Sequence, residues 1–238
     1  LNEVAIVPLG DIHLGAPTCD INSFLAMVEW IKNTENVYVI GMGDYINLET
    51  GRHGVGQVLA EKVGPQEQIE LIIKILSNIK DRILAMHGGT HEIMMLRDYG
   101  IDPMRWITKE LEVPYLKWSA MNKIRVGENN YTLFTTHGSS NARTQSGKMN
   151  ACRNLAKNFV ADIYLMGHTH VCGAERDRVF FADFKKKILA SRKRYYVLTG
   201  SFLEYSDSYA ELRNLSPNNG GIPKIRLWGD KWDIHVSI

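Results

Sequence analysis

The sequence predicts an α/β fold with more than one β-sheet. Short apolar runs alternate with amphipathic helical stretches as far as Pro114. Beyond Pro114 the pattern changes to short strands separated by turn residues. Neither a Gly/Ser-rich linker nor an internal repeat interrupts the 238 residues, so a single domain over 1–238 is expected.

Val4–Leu9 is an apolar run ending at Gly10, the pattern of a buried strand. Asp20 offers an N-cap to a helix over 21–33, with Phe24, Leu25, Val28 and Ile31 on one face. Val37–Ile40 is a second strand. Pro65 opens a helix carrying Ile69, Ile72, Ile73, Leu76 and Ile79 at helical spacing, and Arg82–Met86 is a third strand. Asp102-Pro103 starts a helix to about Glu112. Tyr115–Trp118, Asn122–Val126 and Tyr131–Thr136 are predicted strands, with a hairpin turn at Glu128-Asn-Asn130. A basic amphipathic helix is expected over Ser146–Val160, then strands over Asp162–Met166, Arg178–Asp183, Arg194–Thr199, Lys224–Trp228 and Trp232–Val236.

Composition excludes several classes. At 45% hydrophobic and 23% charged, the chain is neither disordered nor a small disulfide scaffold. A net charge of +2 neither requires nor forbids an acidic partner, so only local clusters bear on binding. Cys19, Cys152 and Cys172 are odd in number and lack framework spacing, which points to reduced thiols and a cytoplasmic compartment. No apolar run reaches the length of a membrane span, and the opening residues lack a signal-peptide pattern.

The chemistry lies in five short motifs: Asp11-Ile-His13, Gly43-Asp44-Tyr-Ile-Asn47, Gly89-Thr90-His91-Glu92, Thr136-His137-Gly138 and Gly167-His168-Thr169-His170. Each follows a predicted strand, where open α/β sheets place their ligand sites. Carboxylate oxygen and imidazole nitrogen suit divalent cations of hard or borderline character. One bridging carboxylate with several terminal histidines can hold two such ions, which together clamp the oxygens of a displacement at phosphorus. Gly41 and Gly43 let the backbone turn tightly at Asp44.

The ordered set D-x-H, G-D-x-x-N, G-T-H-E, T-H-G and G-H-T-H resembles the calcineurin-like metallophosphoesterase superfamily, over residues 11–170. The resemblance implies a four-layer αββα sandwich of two mixed β-sheets flanked by helices. It also implies two divalent metal ions. Asp11, His13 and His170 would bind the first, His137 and His168 the second, and Asp44 would bridge them. His91 would protonate the leaving oxygen, held by Asn47. Water activated near Asp44 would attack phosphorus in line. Thr90 departs from the family asparagine whose amide oxygen binds metal two, so weakened binding of that ion is expected. Manganese is the preferred activating metal, with zinc, iron and magnesium as alternatives.

Within the superfamily, the Gly10-Asp-Ile-His-Leu-Gly15 opening resembles the nuclease and phosphodiesterase branches. The protein phosphatases carry G-D-x-x-D-R-G where this chain has Asn47-Leu-Glu. The expected substrate is a phosphodiester, nucleic acid or nucleotide. Two other readings stay open: a non-catalytic metal- and phosphate-binding relative, and a phosphomonoesterase of a small metabolite.

Other candidates lie outside the motifs. Arg143 and Lys148 follow the His137 motif, with Arg153 and Lys157 further along the same helix as Lys148, and are read either as phosphate contacts or as a solvated face. Lys185-Lys-Lys187 and Arg192-Lys-Arg194 form a basic cluster, read either as a solvated hairpin tip or as a nucleic-acid contact. Tyr195, Tyr196, Phe202 and Tyr205 are either base-stacking or core residues. His87 is read as strand-end packing, with a part in metal binding as the alternative. Glu92 is either support for the site or a helix N-terminal carboxylate. The polar stretch 47–64 is expected to border the substrate cleft.

Overall fold

The computed structural model describes residues 1–49, 61–206, 211 and 220–238. Part of the stretch expected to border the cleft, residues 50–60, lies outside them.

Two mixed sheets form the centre. The first has the order β11-β10-β1-β2-β3-β4. Its strands are β1 (Glu3–Leu9), β2 (Val37–Gly41), β3 (Ile83–His87), β4 (Tyr115–Lys117), β10 (Lys224–Trp228) and β11 (Ile234–Ser237). The second has the order β5-β6-β7-β9-β8, from β5 (Ser119–Val126), β6 (Asn129–Thr136), β7 (Ile163–Met166), β8 (Cys172–Asp183) and β9 (Ile188–Thr199). β1 to β4 run parallel, as do β6, β7 and β9. These two parallel groups carry all five motifs at their carboxyl ends.

Strand alternation sorts the side chains into layers. Val4 and Ile6 of β1 point into an inter-sheet core with Leu133, Ile163, Leu165, Val197, Ile225 and Leu227. Val7 and Leu9 point the other way, toward helices α1 (Ile21–Asn33), α2 (Pro65–Leu76) and α4 (Pro103–Leu111). Helix α5 (Gln145–Leu155) covers the outer face of the second sheet, packing Met149 and Cys152 on Tyr164, Met166, Tyr196 and Leu198. The result is the expected four-layer αββα sandwich.

Local chemistry starts the helices where the sequence places them. Asp20 accepts from the Ser23 N–H at 3.0 Å, and Asp102 from the Met104 N–H at 3.1 Å with Pro103 as first helical residue. Three elements differ from expectation. Helix α3 (Thr90–Tyr99) has no apolar stripe to announce it, since Glu92 is its one buried side chain. Helix α5 stops at Leu155 rather than continuing to Val160, because the chain turns to stack Phe159 on Phe134 at 4.0 Å between ring centroids. The hairpin β8–β9 is longer than expected at both strands.

That hairpin agrees with the solvated-tip reading of the basic cluster. β9 pairs with β7 from Tyr195 onward, so 188–194 extend beyond the start of β7, away from the carboxyl ends that carry the motifs. Arg192, Lys193 and Arg194 are paired with Asp162, Asp233 and Asp177 at 3.1, 2.8 and 2.8 Å. Lys185–Lys187 occupy the distal turn. Tyr195, Tyr196 and Phe202 are buried core residues, and Tyr205 is half-buried. No helix among the described residues is long and apolar enough to cross a membrane.

Candidate metal centre

Five loops meet between the two sheets. Asp11, His13, Asp44 and His137 are buried, and His168 and His170 are half-buried at the rim. Ligand atoms of Asp11, His13, Asp44 and His170 all lie within 4.8 Å of one another, as do those of Asp44, His137 and His168. Asp44 is common to both groups. These are the two ligand sets implied by the motif order, and their oxygen and imidazole donors fit two divalent cations sharing one carboxylate.

The backbone does unusual work to bring them together. Asp11, His13, Asp44, His168 and His170 have φ of 49, 52, 51, 65 and 55°. Left-handed residues bend each loop inward, so side chains two apart in sequence face one centre. Each such residue costs on the order of 1 kcal/mol, sustained only where surrounding bonds hold it. Those bonds are visible: Asp11 N–H donates to Gly43 O at 2.8 Å, His13 N–H to Asp44 O at 3.0 Å, and His168 N–H to the Asp11 carboxylate at 3.1 Å. Glycine is required at 89, where a Cβ would stand 2.2 Å from both the amide nitrogen and Oδ1 of Asp44.

Around Asp44 the site is dense. Oδ2 lies 3.2 Å from His137 Nε2 and 3.9 Å from His13 Nε2. Oδ1 accepts the His91 N–H at 2.8 Å. His137 Nδ1–H donates to Met42 O at 2.8 Å, which fixes the tautomer and leaves Nε2 free to bind a cation. On the other side His13 Nε2 and His170 Nε2 are 3.1 Å apart, and His170 Nε2 is 3.3 Å from Asp11 Oδ1.

Electrostatics follow from this crowding. Burial alone would raise Asp44, but His137, His91 and His13 hold it well below the usual carboxylate range. His137 moves upward: burial opposes its charge, and the Asp44 and Asp11 carboxylates override that opposition. His13 is held well below the usual histidine range by burial first and then by His91. His168 is lowered by burial and by His137.

Thr90 begins α3 with its hydroxyl inside the second ligand group. Oγ1 donates to Asp44 Oδ2 at 2.9 Å and lies 3.5 Å from both His137 Nε2 and His168 Nδ1. The next residue, His91, makes a close hydrogen bond from Nδ1 to the backbone carbonyl of Asn47. Here the structure differs from the expected contact, because the Asn47 side-chain amide turns away and donates to Glu61 Oε1 at 3.1 Å. Glu92 fills both roles proposed for it. Its carboxylate caps α3 by accepting the Gly89 N–H at 2.7 Å, and it accepts the N–H groups of Asp44 and Tyr45 at 3.0 and 2.8 Å.

Arg143 is exposed in the loop after His137. Lys148 is not exposed: its ammonium is buried and donates to the Thr169 carbonyl at 2.9 Å, supporting the His168–His170 loop from behind. Arg153 pairs with Glu175 at 2.8 Å. His87 is buried between the sheets, bonded to Thr135 Oγ1 at 2.7 Å and to Lys117 O at 3.2 Å, in agreement with a packing role.

Comparison with known proteins supports the motif reading. The model of the family described as calcineurin-like phosphoesterase matches residues 59–172. No curated protein matches the chain. Similar solved structures include Vacuolar Protein Sorting 29 from Cryptosporidium parvum, at 16% identity over 100% of this chain and 98% of that one, with a TM-score of 0.44. A metallophosphoesterase from Sphaerobacter thermophilus is 15% identical over 98% of this chain and 86% of that one, with a TM-score of 0.44. Vps29 from Entamoeba histolytica, solved with zinc, is 12% identical over 98% of this chain and 97% of that one, with a TM-score of 0.39.

Proposed function

We propose that the chain, whose residues 59–172 match the calcineurin-like phosphoesterase family, hydrolyses a phosphodiester, with nucleic acid or a nucleotide as the substrate class. The supporting observation is the convergence of two ligand groups on the shared Asp44. The preference for a diester rests on the Asp11-Ile-His-Leu-Gly15 opening and on Asn47-Leu-Glu in place of a phosphatase-like D-R-G run.

Asp11, His13, His170 and Asp44 would hold one cation, and Asp44, His137 and His168 the other, with manganese our choice for this mixed donor set. Bound there, two divalent cations supply charge neutralisation at a phosphoryl group and a nucleophile at neutral pH. The protein's own part is orientation and proton transfer. The Asn47 carbonyl holds Nδ1–H of His91. In the charged imidazole the other ring nitrogen then carries the proton for the leaving oxygen. Arg143, exposed in the loop after His137, would meet a phosphate entering there. Thr90 has a shorter neutral side chain than asparagine, and its hydroxyl is directed to Asp44. The second cation is therefore the weaker bound.

The test is manganese-dependent hydrolysis of an aryl phosphodiester by this chain and by Thr90→Asn. Both are expected to turn over, the variant about tenfold faster, a difference of ~1.4 kcal/mol in barrier. If both bind manganese but hydrolyse neither diesters nor monoesters, the hydrolase reading fails and the chain is a binder. Activity on monoesters alone would select a small phosphometabolite.

A further inference from the structure

A cavity of about 290 Å³ lies between the far end of α3, the start of α4 and the end of β4, with walls from Leu96, Asp102, Arg105, Tyr115, Lys117 and Trp118. Topology places it at the reactive end of the molecule. β4 runs parallel to β3, with Met86 opposite Tyr115 and His87 opposite Lys117. Lys117 and Trp118 therefore emerge where Gly88 leads into Thr90 and His91. A Cβ at Gly88 would stand 3.0 Å from the Tyr115 hydroxyl and 3.6 Å from the Trp118 ring. Leu96 lies six residues after Thr90 on α3, about 9 Å along the helix.

The lining is chemically mixed in an informative way. Trp118 is 44% exposed although its carbonyl is tied down by the Thr136 hydroxyl at 2.9 Å, so the indole is presented to solvent on a fixed backbone. Lys117 and Arg105 are exposed cations. Arg105 leans on Asp102 Oδ2 at 3.6 Å, while Oδ1 of that carboxylate accepts the Met104 N–H and the Tyr115 hydroxyl. A flat aromatic surface with an apolar neighbour favours a planar ring. The two cations favour an anion attached to it, and the Asp102 carboxylate can accept from ring amino groups. An isolated phosphate would leave the indole unused, and an acyl chain would leave the cations unmatched.

We propose that this cavity is the subsite for the nucleobase and outer phosphate of the nucleotide adjoining the scissile phosphate, with Trp118 as the stacking platform. The proposal rests on the phosphodiesterase reading above and adds the place where the base of such a substrate sits.

The test separates the two. Full-length protein, with and without manganese, is titrated calorimetrically with a deoxynucleoside 5′-monophosphate and with deoxyribose 5-phosphate. The nucleotide is expected to bind about 10- to 100-fold more tightly, the range of one base–aromatic stack. Trp118→Ala should erase that difference, and Trp118→Phe should retain most of it. In turnover, Trp118→Ala should raise KM for a nucleoside 5′-aryl phosphodiester by a similar factor, and Trp118→Phe should recover most of the loss. Equal affinity for the two ligands, or a preference that survives Trp118→Ala, overturns the subsite. Nucleotide preference that depends on Trp118 without any hydrolysis keeps the subsite and overturns the hydrolase reading instead.

Discussion

Asn47 shows how a residue can hold the expected position and act through a different atom. The motif spacing brings it to His91, yet the bond comes from the Asn47 carbonyl while the side chain serves Glu61. A backbone contact survives substitution. Asn47→Ala should therefore lower kcat on a diester only a few-fold. His91→Ala should lower it by about 10² or more, as expected for a lost general acid, with metal affinity retained. Steady-state kinetics of both variants checks this, and equal losses would show that the Asn47 side chain does the positioning. Lys148 makes a related point. Its place in the chain suggests a phosphate contact, but its ammonium is committed to the Thr169 carbonyl. Spacing along a helix cannot reveal which face the second sheet covers.

Among the elements, the join between β3 and β6 carries its own pH dependence. His87 of β3 donates Nδ1–H to Lys117 O and accepts the Thr135 hydroxyl at Nε2, while Asn122 donates to Thr135 Oγ1 at 2.7 Å. This arrangement requires a neutral imidazole, and burial lowers His87 from 6.5 to about 4. As pH falls, the unfolded chain takes up the proton first. The stabilisation is therefore complete above pH 6.5 and is lost on descending toward about 4, a change of about 3 kcal/mol. Denaturant unfolding at pH 7 and pH 4.5 should show His87→Gln losing about 2–3 kcal/mol less than the parent over that interval. An identical loss in both would remove His87 as the cause.

Helix α3 illustrates a different limit at the same scale. The sequence shows Glu92 three residues after Gly89, but without an apolar stripe the helix is invisible to periodicity. Its stability comes from Glu92 capping the Gly89 N–H and from two contacts across more than forty residues, Glu92 accepting the Asp44 N–H and Asp44 accepting the His91 N–H.

For the molecule as a whole, the metal centre is also a structural tie between the sheets. Asp11, His13 and Asp44 follow strands of the first sheet, and His137, His168 and His170 follow strands of the second. Several of these residues hold left-handed backbone and crowd like groups together, a strain that cations at the centre would relieve. Manganese at a hundredfold excess over Kd should stabilise the fold by ~2.7 kcal/mol and raise Tm by roughly 5–10 °C, an effect reversed by a chelator. Thermal unfolding with and without manganese measures it, and an unchanged Tm would mean that the centre does not bind the ion in the folded protein.

Strand order in sequence, the starts of α1, α2 and α4 and the residues that converge at the candidate metal centre were all legible in the sequence, because each depends on local signals: apolar runs, caps, and short motifs placed after strands. Tertiary structure alone decided which side chains share a centre, since three motifs follow strands of one sheet and meet two from the other across the inter-sheet core. It also decided that the basic run belongs to a hairpin directed away from the site, that Lys148 faces inward, and that Trp118 lines a cavity between α3, α4 and β4. Each of those depends on the order and direction of strands distant in sequence, and a residue's neighbours along the chain carry no record of that.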